Sequence, residues 1–397
     1  MLNTAFSPWP SFTEEEAQAA AAVIASNRVN YWTGREGREF EAEFAAWTGT
    51  SHAVALANGT LALDLAIDAL GIGPGDEVVV TPRTFMASVS CVVRAGAVPV
   101  FADVDRDSGN LSAATIERVI TPRTRAVVCV HLAGWPCDMD PIMELAGRHG
   151  FAVIEDCAQA HGALYKGRRV GSIGHLGAWS FCQDKIMTLG GEGGMVTTND
   201  RELWARVWSL KDHGKNPDTV ASAAGPGFRW LHESFGTNAR MIEVQSVLGR
   251  IQLKRMPAWT AQRNAHADAI AAALEPFAGA RGVVRVPRVD RAEGSMHAYY
   301  KFYAYARPEH MAEGWSRDRI VESIVARGVP CYTGSCPEVY LEKAFDDTGW
   351  RPAERLPVAR ELGETSLMWL VHPTLTADEI RTTGTVIADV LVEASRP

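Results

Sequence analysis

Phe151-Ala152-Val153-Ile154-Glu155-Asp156-Cys157-Ala158-Gln159-Ala160-His161-Gly162 passes within one short stretch from an apolar run into two carboxylates, an amide and an imidazole. The run Phe151–Ile154 does not alternate apolar with polar residues, so a strand there has both faces covered, and its polar continuation marks the strand's end. Working outward, similar runs recur at Ala53–Leu56, Val78–Val80, Val98–Phe101, Val127–Val130, Ala178–Phe181 and Met195–Thr197, with helix-like stretches between them. Strands buried on both faces and separated by helices predict an α/β fold whose large domain, residues 1–250, holds a mainly parallel central sheet between helices. From Glu243 to about Leu274 the pattern is helical, with a break expected at Pro257, where a backbone N–H is missing. This connecting helix opens a smaller C-terminal α+β domain, residues 251–397, with strand-like Tyr299–Tyr303, a helix near Arg317–Arg327 and a final helix from about Asp378.

The chain has 397 residues, of which 47% are hydrophobic and 22% charged, a globular rather than a disordered composition. Its 39 Lys and Arg against 47 Asp and Glu leave a net charge of −8, which argues against nucleic acid as a partner. No apolar run reaches the ~20 residues that span a bilayer, and Met1-Leu2-Asn3-Thr4 carries no leader-like signal. A cytoplasmic protein without a membrane partner is the expectation. The seven cysteines are odd in number and read as free thiols. Cys331 and Cys336 form the one suggestive pair, but no second Cys/His cluster accompanies them, so no metal is expected.

In an open parallel sheet, ligands bind beyond the carboxyl ends of the strands. Four such ends carry unusual residues. Asn58-Gly59-Thr60 ends a strand and opens a helix, offering free N–H groups and a hydroxyl to an anion; taken alone, an ordinary N-cap and turn explains it equally well. Thr84-Phe85 follows the Pro82 turn, where an aromatic ring could stack on a flat ligand, although such a ring is more often core. Glu155 to His161 bring together groups that need water or partners if covered. Ser180-Phe181-Cys182-Gln183-Asp184-Lys185 precedes Gly190-Gly191-Glu192-Gly193-Gly194, and a lysine beside a covered ligand site is the expected amine for capturing a carbonyl.

These residues, with Trp32-Thr33-Gly34, Phe40-Glu41, His213-Gly214 and Asn238-Ala239-Arg240-Met241, resemble the DegT/DnrJ/StrS sugar aminotransferases in order and spacing along nearly the whole chain. The resemblance implies the type I aminotransferase fold and pyridoxal 5'-phosphate as cofactor. It assigns Lys185 the Schiff base and the proton shuttle, and Asp156 the pyridine nitrogen. Phe85 would stack on the ring and Gln159 would touch its hydroxyl side. Gly59, Thr60 and Ser180 would hold the phosphate, joined by Asn238, at the start of a helical stretch, from a neighbouring subunit. A homodimer with shared active sites follows. His161, Arg240 and Trp32 are the candidates for substrate contact. Two departures from the family pattern stand out: Asp184 replaces the usual Ser or Thr before the lysine, and Gly34-Arg35 replaces Gly-Pro. A third, the segment Gly328–Glu338, is expected to shape the sugar pocket.

The implied reaction moves an amino group from an amino acid, L-glutamate being the expected donor, to a ketone of a nucleotide-linked deoxysugar. Amination of a keto-cyclitol on an aminoglycoside route is the nearest rival. Deoxygenation would put histidine at position 185, and a ligand-sensing regulatory protein would need a DNA-binding module that this acidic chain lacks.

Overall fold

The structure, a computed structural model, describes residues 5–222 and 228–395. The chain opens with helices α1 (Glu14–Ala25) and α2 (Glu36–Thr48), followed by β1 (His52–Leu56), α3 (Gly59–Ala69), β2 (Glu77–Val80), α4 (Ala87–Arg94) and β3 (Val98–Phe101). Next come α5 (Ala113–Glu117), β4 (Thr124–Val130), α6 (Met139–His149) and β5 (Ala152–Asp156). A short hairpin of β6 (Leu164–Tyr165) and β7 (Arg168–Arg169) leads to β8 (Leu176–Ser180), β9 (Gly194–Thr198), α7 (Arg201–Lys211) and α8 (Pro217–Ser222). All seven apolar runs of the sequence are strands of one sheet, in the order β1-β9-β8-β5-β4-β2-β3. The pairs among β8, β5, β4, β2 and β3 are parallel, and β9 runs antiparallel to both of its neighbours. The carboxyl ends of β1, β2, β4, β5 and β8 therefore share one edge.

Long helix α9 (Glu243–Leu274) joins this sheet to a second one, in which β10 (Val284–Arg285), β11 (Phe302–Ala306) and β12 (Ser366–Trp369) pair antiparallel in that order. Helices α10 (Arg317–Ala326), α11 (Pro357–Thr365) and α12 (Ala377–Ala394) complete the C-terminal part. Helix α12 starts as its sequence dictates, with the Thr376 side chain accepting from the Glu379 N–H and the Glu379 carboxylate returning to the Thr376 N–H.

Three features differ from the sequence reading. The break expected at Pro257 does not occur: α9 runs through it for 32 residues. An interior proline costs about 3 kcal/mol, whereas each fully buried aliphatic side chain stabilises by about 1.5–3 kcal/mol. Leu248, Leu253, Met256, Ile270 and Leu274 are all buried along α9, so packing on both sides of the proline wins. The strand expected from Tyr299 begins only at Phe302, because Tyr299 adopts a left-handed φ of 48° that cannot continue a strand. Asn238 does not start a helix either; it lies in an extended segment bridged to Asp212, and α9 begins five residues later.

The two parts of the chain also interlock. Val339, Tyr340 and Phe345 pack into the core of the large sheet, with the Val339 N–H bonded to the Pro82 carbonyl, while Phe6 packs against the core of the C-terminal sheet. Among the described residues no helix is long and apolar enough to cross a membrane.

Candidate active site

The shared strand edge opens on a cavity of about 820 Å³ lined by residues from all four of the strand ends that stand out in the sequence. Asp156, the last residue of β5, is buried there, and both of its oxygens are engaged. Oδ2 accepts from the Ser88 hydroxyl at 2.7 Å and Oδ1 from the Ala158 N–H at 3.1 Å; Ser88 in turn lies 2.7 Å from the Thr84 hydroxyl. These bonds hold the carboxylate in one orientation toward the cavity.

Glu155 points to the opposite face of the same strand, as the pleat requires. It is fully buried and accepts from the N–H groups of Gly171, Ile173 and Gly174 and from His131 Nε2. Burial alone would raise its pKa, but the bonds from His131, Gly171 and Gly174 outweigh burial and hold the carboxyl below its ordinary value. Together with Cys157 and His131 it makes a compact group of potential metal donors, yet both carboxylate oxygens and the His131 ring, whose Nδ1 accepts from the Cys137 N–H, are taken by hydrogen bonds.

At the second strand end, the Asn58 side chain caps α3 by accepting from the Leu61 N–H. Gly59 and Thr60 occupy the first turn, whose N–H groups a helix cannot satisfy internally, and both line the cavity. Gly59 has to be glycine: a Cβ there would stand 2.4 Å from the Ser180 Cβ. This close approach sets the Ser180 hydroxyl beside the helix start, an anion cradle built from backbone, dipole and hydroxyl. Gln159 is fixed through its Oε1, which accepts from the Ala133 N–H at 2.7 Å, leaving the amide nitrogen as the donor of a residue that lines the cavity. Phe85 stands at the rim with 71% of its surface exposed. The cradle, the carboxylate and the aromatic rim fit a phosphorylated flat ring.

Lys185 reaches the same cavity with its side chain 15% exposed. Its Nζ lies 3.9 Å from Asp184 Oδ1 and 5.2 Å from the centre of the Tyr300 ring, and its carbonyl accepts from Trp9 Nε1 at 2.8 Å. The Tyr300 hydroxyl donates to the other Asp184 oxygen. Burial would raise the Asp184 pKa, but the Lys185 charge and the Tyr300 bond overcome burial and lower it.

Four of the sequence-derived residues lie outside this cavity. His161 is buried between Trp179 and Phe181, with ring centres 5.2 and 5.3 Å away, and neither ring nitrogen has a hydrogen-bond partner among the described residues. Burial, followed by the charges of Lys185 and Arg263, pushes its pKa down to about 3, so in this structure it packs as a neutral ring away from the cavity. Trp32, Arg240 and Asn238 gather instead around Asp212. Trp32 Nε1 and Arg240 Nη1 donate to its two oxygens at 2.9 and 2.7 Å, and Asn238 bridges its backbone while remaining exposed.

Ser88 bonds Asp156, Tyr300 bonds Asp184 beside Lys185, and Trp9 bonds the Lys185 carbonyl, yet none of the three stood out in the sequence. Ser88 carried a faint signal, lying one helical turn after Thr84; the other two are more than one hundred residues from Lys185 and carried none. Ser335 and Cys336, from the segment expected to shape the pocket, line the cavity, and Cys336 and Cys331 are both free thiols.

With this geometry in hand, the profile of the DegT/DnrJ/EryC1/StrS aminotransferases matches residues 10–388. The chain belongs to that family. It is accordingly an aminotransferase-class enzyme, and solved structures of the family bear this out. The aminotransferase from Psychrobacter cryohalolentis is 61% identical, superimposes with a TM-score of 0.96, and the match covers 98% of this chain and 99% of that one. Among curated relatives, the dTDP-3-amino-3,4,6-trideoxy-alpha-D-glucose transaminase of Streptomyces venezuelae is 38% identical over 91% of this chain and 88% of its own. GDP-perosamine synthase of Caulobacter vibrioides is 37% identical over 91% of this chain and 92% of its own.

Proposed function

We propose that this aminotransferase uses pyridoxal 5'-phosphate to move an amino group from an amino acid, with L-glutamate as the favoured donor, to a ketone of a nucleotide-linked deoxysugar. The observation that carries this reading is the convergence of Lys185, Asp156 and the Gly59–Thr60 helix start on one cavity. When bound, the cofactor supplies an electron sink for charge developing at the substrate carbon.

Each residue has a role that its surroundings suit. Lys185 supplies the amine that holds the cofactor and then carries the proton to and from the substrate carbon. Asp156, oriented by Ser88, would pair with the pyridine nitrogen and keep it protonated. Gly59, Thr60 and Ser180 would receive the phosphate, Phe85 would cover one ring face, and Gln159 would offer its amide nitrogen to the ring hydroxyl side. Asn238 completes the phosphate cradle of a second copy of the chain, a role suited to its exposure on the Asp212 cluster. Trp32 and Arg240, in the same cluster, would then border the partner's site.

The sugar acceptor is supported by the two curated relatives, whose names are those of nucleotide-sugar enzymes. Borohydride reduction followed by peptide mapping tests the lysine, with the label expected on Lys185; a label on Lys166 or Lys211 instead would sink the assignment. Mass analysis of products from a panel of nucleotide-linked keto-sugars and keto-cyclitols tests the acceptor.

A further inference from the structure

Lys185 sits in the loop between β8 and β9, outside any regular element. Two later positions of that loop are clamped by α9: Gln252 bonds both the N–H and the carbonyl of Thr188, at 2.9 and 2.8 Å, and Gln245 donates to the Glu192 carbonyl at 2.8 Å. The peptide of Lys185 itself is held from elsewhere. Its N–H closes a turn onto the Cys182 carbonyl at 3.0 Å, and its carbonyl accepts from Trp9 Nε1 at 2.8 Å, the one donor to it among the described residues. A lysine side chain is a flexible four-carbon stem, so where its amine arrives depends on how firmly its base is fixed.

Trp9 is well placed to fix it, because the indole is itself held on several sides. It meets the Trp259 ring edge-on at 5.3 Å between centres, stacks on His372 at 6.0 Å, and is covered by the Arg263 guanidinium at 5.2 Å. The residues before it are fastened to the C-terminal part of the chain. The Pro8 carbonyl accepts from the Thr374 hydroxyl at 2.8 Å, and the Ser7 hydroxyl donates to the Glu379 carboxylate at 3.0 Å. Arg263, fully buried beneath the indole, donates to the Tyr299 carbonyl at 3.2 Å, next to the Tyr300 whose hydroxyl bonds Asp184. A covered indole N–H needs an acceptor, and here the acceptor is the peptide of the reactive lysine, 176 residues away.

We propose that Trp9 is a positioning residue for Lys185: its indole N–H fixes the Lys185 peptide and thereby aims the amine into the cavity, an inference that rests on the reading of Lys185 given above. The strap from Ser7 to Trp9 makes the aim of the lysine depend on the C-terminal part to which the strap is fastened.

The test compares cofactor-loaded parent protein with Trp9→Phe, which keeps an aromatic ring against Trp259, His372 and Arg263 and removes the N–H. The donor is whichever of L-glutamate, L-glutamine and L-alanine the parent converts fastest. Three quantities are read: the single-turnover rate and its dependence on donor concentration, the visible circular dichroism, which reports how the group on Lys185 is oriented, and the melting temperature. The maximal rate is expected to fall about three- to ten-fold, the loss of one hydrogen bond, with half-saturation within about two-fold of the parent's. The dichroism of the visible band should change while the melting temperature stays close to the parent's. Unchanged dichroism overturns the proposal whatever the rate does, and so does an unchanged maximal rate. A fall in melting temperature alone would mean that Trp9 does no more than clip the N-terminal strap. If the phenylalanine variant does not fold, Trp9→Tyr, which fills more of the indole volume and likewise has no N–H, is judged by the same readouts. Borohydride labelling of the parent keeps the two failures apart. A missing label on Lys185 defeats the reading of that lysine, whereas a normal label with unchanged rate and dichroism in the variant defeats only the role of Trp9.

Discussion

The edge of the large sheet and the extended segment 228–242 treat their side chains in opposite ways. At the edge, polar groups are buried and held from within the chain, as Ser88 holds Asp156 and Ala133 holds Gln159. In the segment, Trp230 is 83% exposed, Phe235 is fully exposed, and Asn238 lies open beside them. Large aromatics left bare in a row mark a surface for contact rather than a finished site. The lesson is one of completeness: one chain orients Asp156 and Lys185 by itself, whereas Trp230, Phe235 and Asn238 of the extended segment stay exposed. On the proposed shared-site reading, the two regions are halves of one active site contributed by different copies.

The largest effect should come from the edge. On the proposed reading, Lys185→Ala removes both the covalent link and the proton shuttle; loss of the shuttle alone is worth about 10²–10⁴-fold in rate. Single-turnover kinetics should fall by at least that much, and near-normal turnover would contradict the mechanism.

The paired acids of β5 sharpen the comparison next. Asp156→Asn should slow the half-reaction about 10²–10³-fold, the scale for removing one oriented charge from an active site, with the melting temperature little changed. Glu155→Gln should do the reverse, because it turns one of the two acceptor oxygens into an amide that cannot accept from the buried N–H groups or His131, at a cost of about 3–5 kcal/mol in stability. The pH dependence follows from the lowered folded-state pKa of Glu155. Its stabilisation is complete above the ordinary carboxylate range and is lost as pH falls through the folded-state value, so the melting difference between parent and variant should shrink toward acid pH. Equal kinetic losses at the two positions would mean that the acids form one structural cluster.

The extended segment gives the third test. Asn238→Ala should weaken cofactor retention about ten- to a hundred-fold, the equivalent of one charged hydrogen bond. Mixing Lys185→Ala with Asn238→Ala protein is more telling. If sites are shared, each heterodimer gathers both lesions in one site and leaves the other intact, so activity rises above the sum of the parents. Strict additivity, with subunit exchange demonstrated, would confine Asn238 to its own chain.

The smallest effect belongs to Ser88. Removing its hydroxyl frees Asp156 from one of two bonds, each worth about 1 kcal/mol net. Ser88→Ala should therefore lower the half-reaction rate by about five-fold, and a loss as large as that of Asp156→Asn would give the serine a direct role.

Sequence alone determined the strands of the central sheet and the residues at their carboxyl ends, because burial on both faces writes an unbroken apolar run that polar residues then terminate. It also determined the glycine at position 59 and the lysine at 185, where backbone approach and reactivity admit few residue types. Tertiary structure alone decided where the remaining side chains point. His161 belongs to the same polar stretch as Asp156, yet packing against Trp179 and Phe181 draws it away from the cavity. Tyr300 comes from the far side of the connecting helix, and Trp9 from the N-terminal segment; only folding sets them beside Lys185. Pro257 signals a break that the buried side chains of α9 override. Local patterns report which faces are covered. Which group covers them is settled by contacts between residues hundreds of positions apart, and those contacts have no period in the sequence to read.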